Sequence, residues 1–97
     1  MYIHSDKMKC QWDEAKNKKN VQRHGIDFND VPSMFLSPMV TFLDNRKDYG
    51  EDRWIGIGIL KTILAVVVFT EPDDDTIRIV STRKALKHEE QIYRDQI

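Results

Sequence analysis

A basic row of side chains is the first feature of this sequence that could do chemistry. Lys16, Lys19 and Arg23 follow one another at intervals of three and four residues, and Lys16, Asn20 and His24 at intervals of four. Residues at these spacings share one face of an α-helix. The rows therefore predict either a surface for phosphate or for an acidic partner, or a basic face that is solvated or paired with acids elsewhere.

The polar loop that covers residues 44–52 offers a second set of candidates. Arg46, and Arg53 directly after the loop, can each bind a phosphate through two parallel N–H donors. Glu51 could take up a proton or hold an arginine in place. Structural ion pairs would explain the same three residues, so the loop alone does not decide between the two interpretations.

Two further candidates lie at the ends of predicted elements. Arg83 and Lys84 stand at a junction between a strand and a helix, where functional groups are common. His24 ends the basic helix, and histidine suits proton transfer near neutral pH. A histidine at a helix C-terminus also complements the helix dipole, so His24 has a structural interpretation as well.

The charge of the chain is unevenly distributed. Over 97 residues the net charge is only −1, yet residues 15–26 contain five Lys, Arg and His side chains without an acid, and residues 71–75 contain four acids. The acidic stretch is typical of a solvated turn. A local positive field, rather than net charge, must therefore attract any phosphate ligand.

The number and spacing of cysteine and histidine residues limit which disulfides and metal sites the chain could form. Cys10 is the single cysteine, which rules out an intramolecular disulfide and favours a reducing cytosol. The three histidines and the cysteine are widely scattered, without the short spacing of a zinc site. We therefore expect no bound metal or cofactor. The longest apolar stretch, residues 63–69, is too short to cross a bilayer, so no membrane partner is expected.

The hydrophobic pattern predicts an α+β fold in one domain over residues 1–97, with residues 1–7 as a flexible extension. Asp13 and Gly25 delimit a helix from about Glu14 to His24. A short second helix ends near Ser37, and a C-terminal helix covers Arg83 to Arg94. An antiparallel sheet of about four strands packs with these helices. Its strands are drawn from residues 9–12, 39–43, 53–60, 63–70 and 76–82, and the last would place Ile77, Ile79 and Ser81 on one side.

Three segments in the same order resemble the BrnT family of toxins from type II toxin–antitoxin systems. They are WDEAKNKKNVQRHGIDF at 12–28, DNRKDYGEDRWIGIG at 44–58 and TIRIVSTRKA at 76–85. The likeness extends from Trp12 to the end of the chain. The family motifs fall on Trp12, Asp13, Lys16, Asn20, His24, Gly25, Arg46, Tyr49, Gly50, Glu51, Arg53, Arg78, Ser81, Arg83 and Ala85. The chain departs from the family at Thr70-Glu71-Pro72, where a basic residue is expected.

The resemblance implies a RelE-like fold and a metal-independent ribonuclease that halts translation. It also implies neutralisation by a BrnA-type antitoxin with a ribbon–helix–helix domain, in a heterotetramer that binds operator DNA through the antitoxin. The motif residues fit for catalysis are His24, Arg46, Glu51, Arg53 and Arg83. The expected RNA-binding residues are Lys16, Lys19, Arg23, Arg78 and Lys84. Which residue acts as acid or base stays open, and a non-enzymatic binding module or a metal-dependent nuclease remains an alternative.

Overall fold

The computed structural model describes residues 9–46, 48 and 50–97, and these residues have the expected α+β composition. The predicted N-terminal extension, residues 1–7, lies outside the described residues. In chain order the elements are β1 (Lys9–Gln11), α1 (Glu14–His24), a 3₁₀ helix (Phe28–Leu36), β2 (Val40–Leu43), β3 (Trp54–Leu60), β4 (Ile63–Asp73), β5 (Thr76–Lys84) and α2 (Lys87–Gln96).

The described strands form one mixed sheet of five strands in the order β1-β5-β4-β3-β2. Strands β2 to β5 are an antiparallel meander, whereas β1 pairs in parallel with β5. The expected antiparallel sheet of about four strands is therefore wrong in strand number and in the direction of β1. The reason is that β1 has only three residues and pairs with the last strand of the chain. No turn between neighbouring strands indicates such a long-range parallel pairing.

Helix α1 has the boundaries that its end residues predict. The Asp13 carboxylate accepts hydrogen bonds from the backbone N–H groups of Ala15 and Lys16, at 2.8 and 3.3 Å. Gly25 ends the helix at φ 72°, in the left-handed region, and its N–H donates to the carbonyl of Val21. Both signals are local, and a position with positive φ favours glycine because it lacks Cβ.

Hydrogen bonds, rather than an apolar stripe, attach α1 to the rest of the fold. Its buried residues are Asn17 and Asn20. Asn20 donates to the carbonyl of Ile26 at 2.9 Å and accepts from the backbone N–H of Thr82 at 3.2 Å, on the edge of β5 beyond the residues that pair with β1. The cations of α1 are consequently free to face solvent.

The sheet has a separate apolar cluster on each face. On the first face the 3₁₀ helix and the connection before it contribute Ile26, Phe28, Val31, Met34 and Phe35, and the sheet contributes Leu60, Ala65, Val67, Phe69, Ile77 and Ile79. On the second face the buried cluster consists of Ile57, Val66, Ala85 and Tyr93, with α2 covering the sheet. The first face is the thicker layer. The second leaves part of the sheet open beside α2.

A β-bulge in β5 decides which of its side chains reach that second face. Val68 pairs with Ser81 and the next residue, Phe69, pairs with Ile79, so Val80 is an extra residue. Ile77 and Ile79 face the first core, whereas Ser81 turns toward α2. The expectation that these three share one side is wrong, because a bulge reverses the alternation beyond it.

The C-terminal helix also begins later than the sequence pattern predicts. Arg83 pairs with Val66 as part of β5, which continues to Lys84. Leu86 is the N-cap of α2, and the helix starts at Lys87 rather than at Arg83. The ladder with β4 keeps residues 82–84 extended, and it thereby sends the Arg83 side chain to the second face.

Candidate functional site

A cavity of about 370 Å³ lies between α2 and the second face of the sheet. A row of paired residues crosses its floor, because Phe42 pairs with Ile55, Ile55 with Val68, and Val68 with Ser81. The other lining residues are Arg46, Val66, Arg83, His88, Glu89 and Ile92. The cavity thus combines an apolar part with a polar wall that holds two guanidinium groups.

Arg83 and Glu89 form a two-pronged ion pair in this wall. Nη1 of Arg83 donates to Oε1 of Glu89 and Nη2 donates to Oε2, both at 2.8 Å. Oε1 of Glu89 also accepts from the backbone N–H of Leu86 at 2.8 Å, and this hydrogen bond caps the N-terminus of α2. The Glu89 side chain is 12% exposed, so the guanidinium is held by a group that is largely shielded from water.

The pair alters the protonation behaviour of both groups. Hydrogen bonds from Arg83 lower the pKa of Glu89 below its ordinary value, against the opposing effect of burial. The same bonds raise the pKa of Arg83, while burial and the positive charge of Arg46 act in the other direction. Glu89 therefore stays ionised near neutral pH. Both Arg46 and Arg83 line the cavity.

Arg46 is held in a similar way by Asp44. Its Nε donates to Oδ1 of Asp44 and its Nη2 donates to Oδ2, both at 2.8 Å. The Asp44 carboxylate is fully buried, whereas the Arg46 side chain is 69% exposed. The backbone N–H of Asp44 in turn donates to the carbonyl of Arg53 at 2.7 Å. The predicted loop arginine is therefore held by a buried anion, and its side chain lines the cavity while it remains largely exposed.

Three residues of the site are absent from the candidates that the sequence provides, namely Asp44, His88 and Glu89. His88 is exposed and lines the cavity, and its charge contributes to the lowered pKa of Glu89 after the larger effects of Arg83 and Leu86. One signal could have found Glu89. It is the third residue of α2, where an acidic side chain commonly accepts from the N-cap backbone.

The cations of α1 border a second, shallower groove of about 170 Å³ between α1 and β5. Its lining residues are Lys16, Lys19, Asn20, Arg23, His24, Val80 and Ser81. Ser81 lines both this groove and the cavity, so the two depressions meet across β5. His24 is accordingly grouped with the lysines rather than with Arg46 and Arg83.

The remaining predicted residues lie around these two depressions. Arg78 is exposed on β5 and borders a third depression that it shares with Lys16. Lys84 is exposed at the end of β5, and its carbonyl accepts from Arg83 at 3.2 Å. Glu51 is exposed in the loop and Arg53 is half-buried before β3, and neither borders the cavity. Tyr49 of the family motif lies outside the described residues.

Two kinds of feature are absent from the part of the chain that the structure describes. In that part, no group of three or more His, Cys, Asp and Glu side chains is placed to hold a metal ion. Over the same residues, no helix has both the length and the apolar character needed to cross a membrane.

Comparisons with known proteins agree with the resemblance of the motifs. Residues 12–89 match a family described as the ribonuclease toxin BrnT of type II toxin–antitoxin systems. The crystal structure of the ribonuclease toxin BrnT from Brucella abortus is similar, with 32% sequence identity and a TM-score of 0.68 over 82% of this chain and 99% of that one. No curated protein sequence matches the chain.

Proposed function

This chain belongs to the BrnT family of ribonuclease toxins of type II toxin–antitoxin systems, and on that premise we propose that it cleaves RNA without a metal ion in the cavity between α2 and the sheet. One observation supports this location above all. Arg46 and Arg83, which approach from different parts of the chain, are each fixed by their own carboxylate at the same cavity.

The proposed reaction is an attack of the ribose 2′-hydroxyl on the adjacent phosphorus. A bond forms between the 2′-oxygen and phosphorus while the bond from phosphorus to the 5′-oxygen breaks, which leaves a 2′,3′-cyclic phosphate and a 5′-hydroxyl. Negative charge accumulates on the phosphoryl oxygens in the transition state. Arg46 and Arg83 stabilise that charge with donors that are already oriented, an effect worth about 10²–10³ in rate for one such donor.

Although Arg83 is held by Glu89, some of its N–H groups remain available to the substrate. A guanidinium has five N–H groups, and the described contacts of Arg83 use two on Nη1 and one on Nη2, toward Glu89 and the carbonyl of Lys84. The Nε–H group and the second Nη2–H group remain for a phosphoryl oxygen. Glu89 is then a positioning residue, because it acts on the substrate through Arg83.

Proton transfer is assigned to His88 in this proposal. The 2′-hydroxyl loses a proton and the leaving 5′-oxygen gains one; imidazole can perform one of these transfers, with solvent water performing the other, and His88 borders the cavity that holds both arginines. Glu51 and His24 are the competing candidates from the sequence. Glu51 lies in the loop and His24 borders the α1 groove, so neither lines the cavity. Arg53 supports the loop through its backbone contact with Asp44.

The basic residues outside the cavity are proposed to bind the RNA backbone. The α1 groove meets the cavity at Ser81, so a strand whose scissile phosphate lies at Arg83 can continue over β5 onto α1. The proposed contacts are Lys16, Lys19, Arg23, Arg78 and Lys84. Salt-sensitive binding is expected from such a surface.

The experiment that tests the activity is incubation of the purified chain with labelled RNA, once in EDTA and once in Mg²⁺. We expect fragments in EDTA that end in a 2′,3′-cyclic phosphate, and a loss of about 10²-fold or more for Arg46→Lys or Arg83→Lys. Arg94→Lys is the matched control, because Arg94 makes a surface ion pair with Glu90 away from the cavity.

Other outcomes would overturn parts of the proposal. Fragments that appear only with Mg²⁺ contradict a metal-independent reaction. A retarded RNA band that never yields fragments identifies a binding module instead of a nuclease. Full activity of both arginine variants moves the reaction out of this cavity.

The biological role proposed for this activity is inhibition of translation in the cytoplasm, with neutralisation by a second protein. Membership of a type II toxin–antitoxin family supports the existence of that protein. We propose a BrnA-type antitoxin with a ribbon–helix–helix domain, in a heterotetramer that binds operator DNA through the antitoxin. Co-expression with a short gene found beside its reading frame tests this. Growth should be restored, and the two chains should co-purify in equal amounts.

A further inference from the structure

The cavity contains more apolar surface than binding of a phosphate requires. Arg46, Arg83, His88 and Glu89 are the charged or titratable lining residues, and the row of paired residues that begins at Ser81 ends at Phe42. Between them the floor consists of aliphatic side chains from β3, β4 and α2. A volume of about 370 Å³ lies in the range of pockets that hold a small organic ligand.

Phe42 is unusually open for an aromatic side chain at the end of a sheet. It lies on β2, one of the two edge strands of the described sheet, and it is 39% exposed although it borders the cavity. Its partner on β3, Ile55, also lines the cavity. The exposed surface of Phe42 is available to a planar group that enters the cavity.

These features lead to one substrate class. We propose that the cavity takes a whole nucleotide whose base has left its stack, with the base packed on Phe42 and its phosphate on Arg46 and Arg83, so that the substrate is single-stranded RNA. The inference rests on the proposed function and deepens it. A base inside a duplex is stacked on both faces and paired at its edge, so it cannot reach Phe42 without being extruded.

The aromatic contact gives affinity with little sequence preference, because every base has a π-face. Its removal is expected to weaken binding by about 5-fold to 150-fold, which corresponds to the loss of one base stacked on an aromatic side chain. The expected consequence is discrimination between loops and stems rather than between nucleobases.

The test uses short 2′-O-methyl RNA that contains 2-aminopurine, since this RNA has no 2′-hydroxyl to react and the fluorescent base is quenched by stacking. The wild-type chain should quench 2-aminopurine in a single strand or a hairpin loop, and leave it unchanged in a stem. Phe42→Ala should abolish quenching and raise Kd about 5-fold or more. Phe42→Trp should restore both.

Leu43 provides the matched control. It is the next residue on β2 and is 38% exposed, almost the same as Phe42, but it belongs to the opposite face of the strand. Leu43→Ala should therefore bind and quench as the wild-type chain does. Thermal unfolding of all variants reports whether a loss of binding reflects loss of the fold.

The results separate this inference from the proposed function. If the chain cleaves RNA in EDTA but cuts stems and loops equally, the base pocket is overturned and the nuclease proposal stands. The same conclusion holds if it cleaves RNA in EDTA and Phe42→Ala still quenches 2-aminopurine fully. Quenching without any cleavage supports the pocket and overturns the nuclease. Failure of the folded chain to bind the oligonucleotide overturns the base pocket, and another partner would then occupy the cavity.

Discussion

Arg83 at the end of β5 and Glu89 in the first turn of α2 are joined by two parallel hydrogen bonds of 2.8 Å. The same carboxylate accepts the backbone N–H of Leu86. One side chain thus fixes the start of a helix and the orientation of a guanidinium at the cavity. A substitution at Glu89 should consequently affect both stability and activity.

Glu89→Gln should change how stability depends on pH. The folded-state pKa of Glu89 is lowered by Arg83. The stabilisation is therefore fully present above the ordinary pKa of 4.5 and is lost as pH falls through the lowered folded value. Glutamine keeps an acceptor for Leu86 but has no charge. The variant should be less stable than wild type at pH 7, and the gap should narrow toward pH 3.

Urea unfolding from pH 7 to pH 3 measures this difference. Asp27 and Asp73 also have lowered pKa values, through hydrogen bonds led by those from Asn29 and Thr76, but both are present in each protein and cancel in the comparison. Glu90→Gln is the control, because Glu90 makes only a looser surface ion pair with Arg94, at 3.6 Å. Parallel stability curves for wild type and Glu89→Gln would contradict the prediction.

His88→Ala should lower kcat with little change in KM. Loss of a positioned general acid or base typically costs about 10²–10⁴ in rate, while the phosphate contacts of Arg46 and Arg83 would remain. Glu51→Gln and His24→Ala should retain most of kcat, because neither residue borders the cavity. Single-turnover cleavage across pH 5 to 9 distinguishes the three. A selective loss in the Glu51 or His24 variant would reassign the proton transfer to that residue.

The sequence predicts those parts of the fold whose signals are local. Asp13 and Gly25 act on the residues next to them, and both ends of α1 are confirmed. The pairing of β1 with β5 joins residues 9–11 to 76–78 and leaves no local mark. The bulge at the extra residue Val80 cannot be predicted from the sequence pattern either, because the alternation of apolar residues assumes a regular strand.

The candidate site follows the same division. Arg46 and Arg83 can be selected by residue type, but their carboxylate partners depend on the backbone. Had residues 83–89 been one helix, as the pattern suggests, Arg83 and Glu89 would lie about 120° apart around its axis and about 9 Å apart along it, and could not pair in this way. The observed strand, turn and helix bring them within 2.8 Å. For that reason Glu89 and the adjacent His88 are missed.

Asn20→Ala should destabilise the fold although alanine is the better helix former. The substitution leaves the backbone N–H of Thr82 and the carbonyl of Ile26 without the Asn20 side chain. Each buried polar group that loses its partner costs about 1–3 kcal/mol, which exceeds the gain of roughly 0.7 kcal/mol at most in helix propensity. Urea unfolding at neutral pH measures the change. Gln22→Ala, on the exposed side of α1, should be neutral or slightly stabilising.

Neutralising the α1 groove should reduce the salt dependence of RNA binding. Each phosphate contact on a single strand contributes about 0.7 to the slope of log affinity against log salt concentration. Simultaneous substitution of Lys16, Lys19 and Arg23 by glutamine should therefore lower the slope by about 2. Fluorescence titration with 2′-O-methyl RNA at several salt concentrations measures it. Lys18→Gln is the control, since Lys18 is exposed on the same helix but borders neither depression. An unchanged slope in the triple variant would remove α1 from the RNA interface and leave its cations for a protein partner.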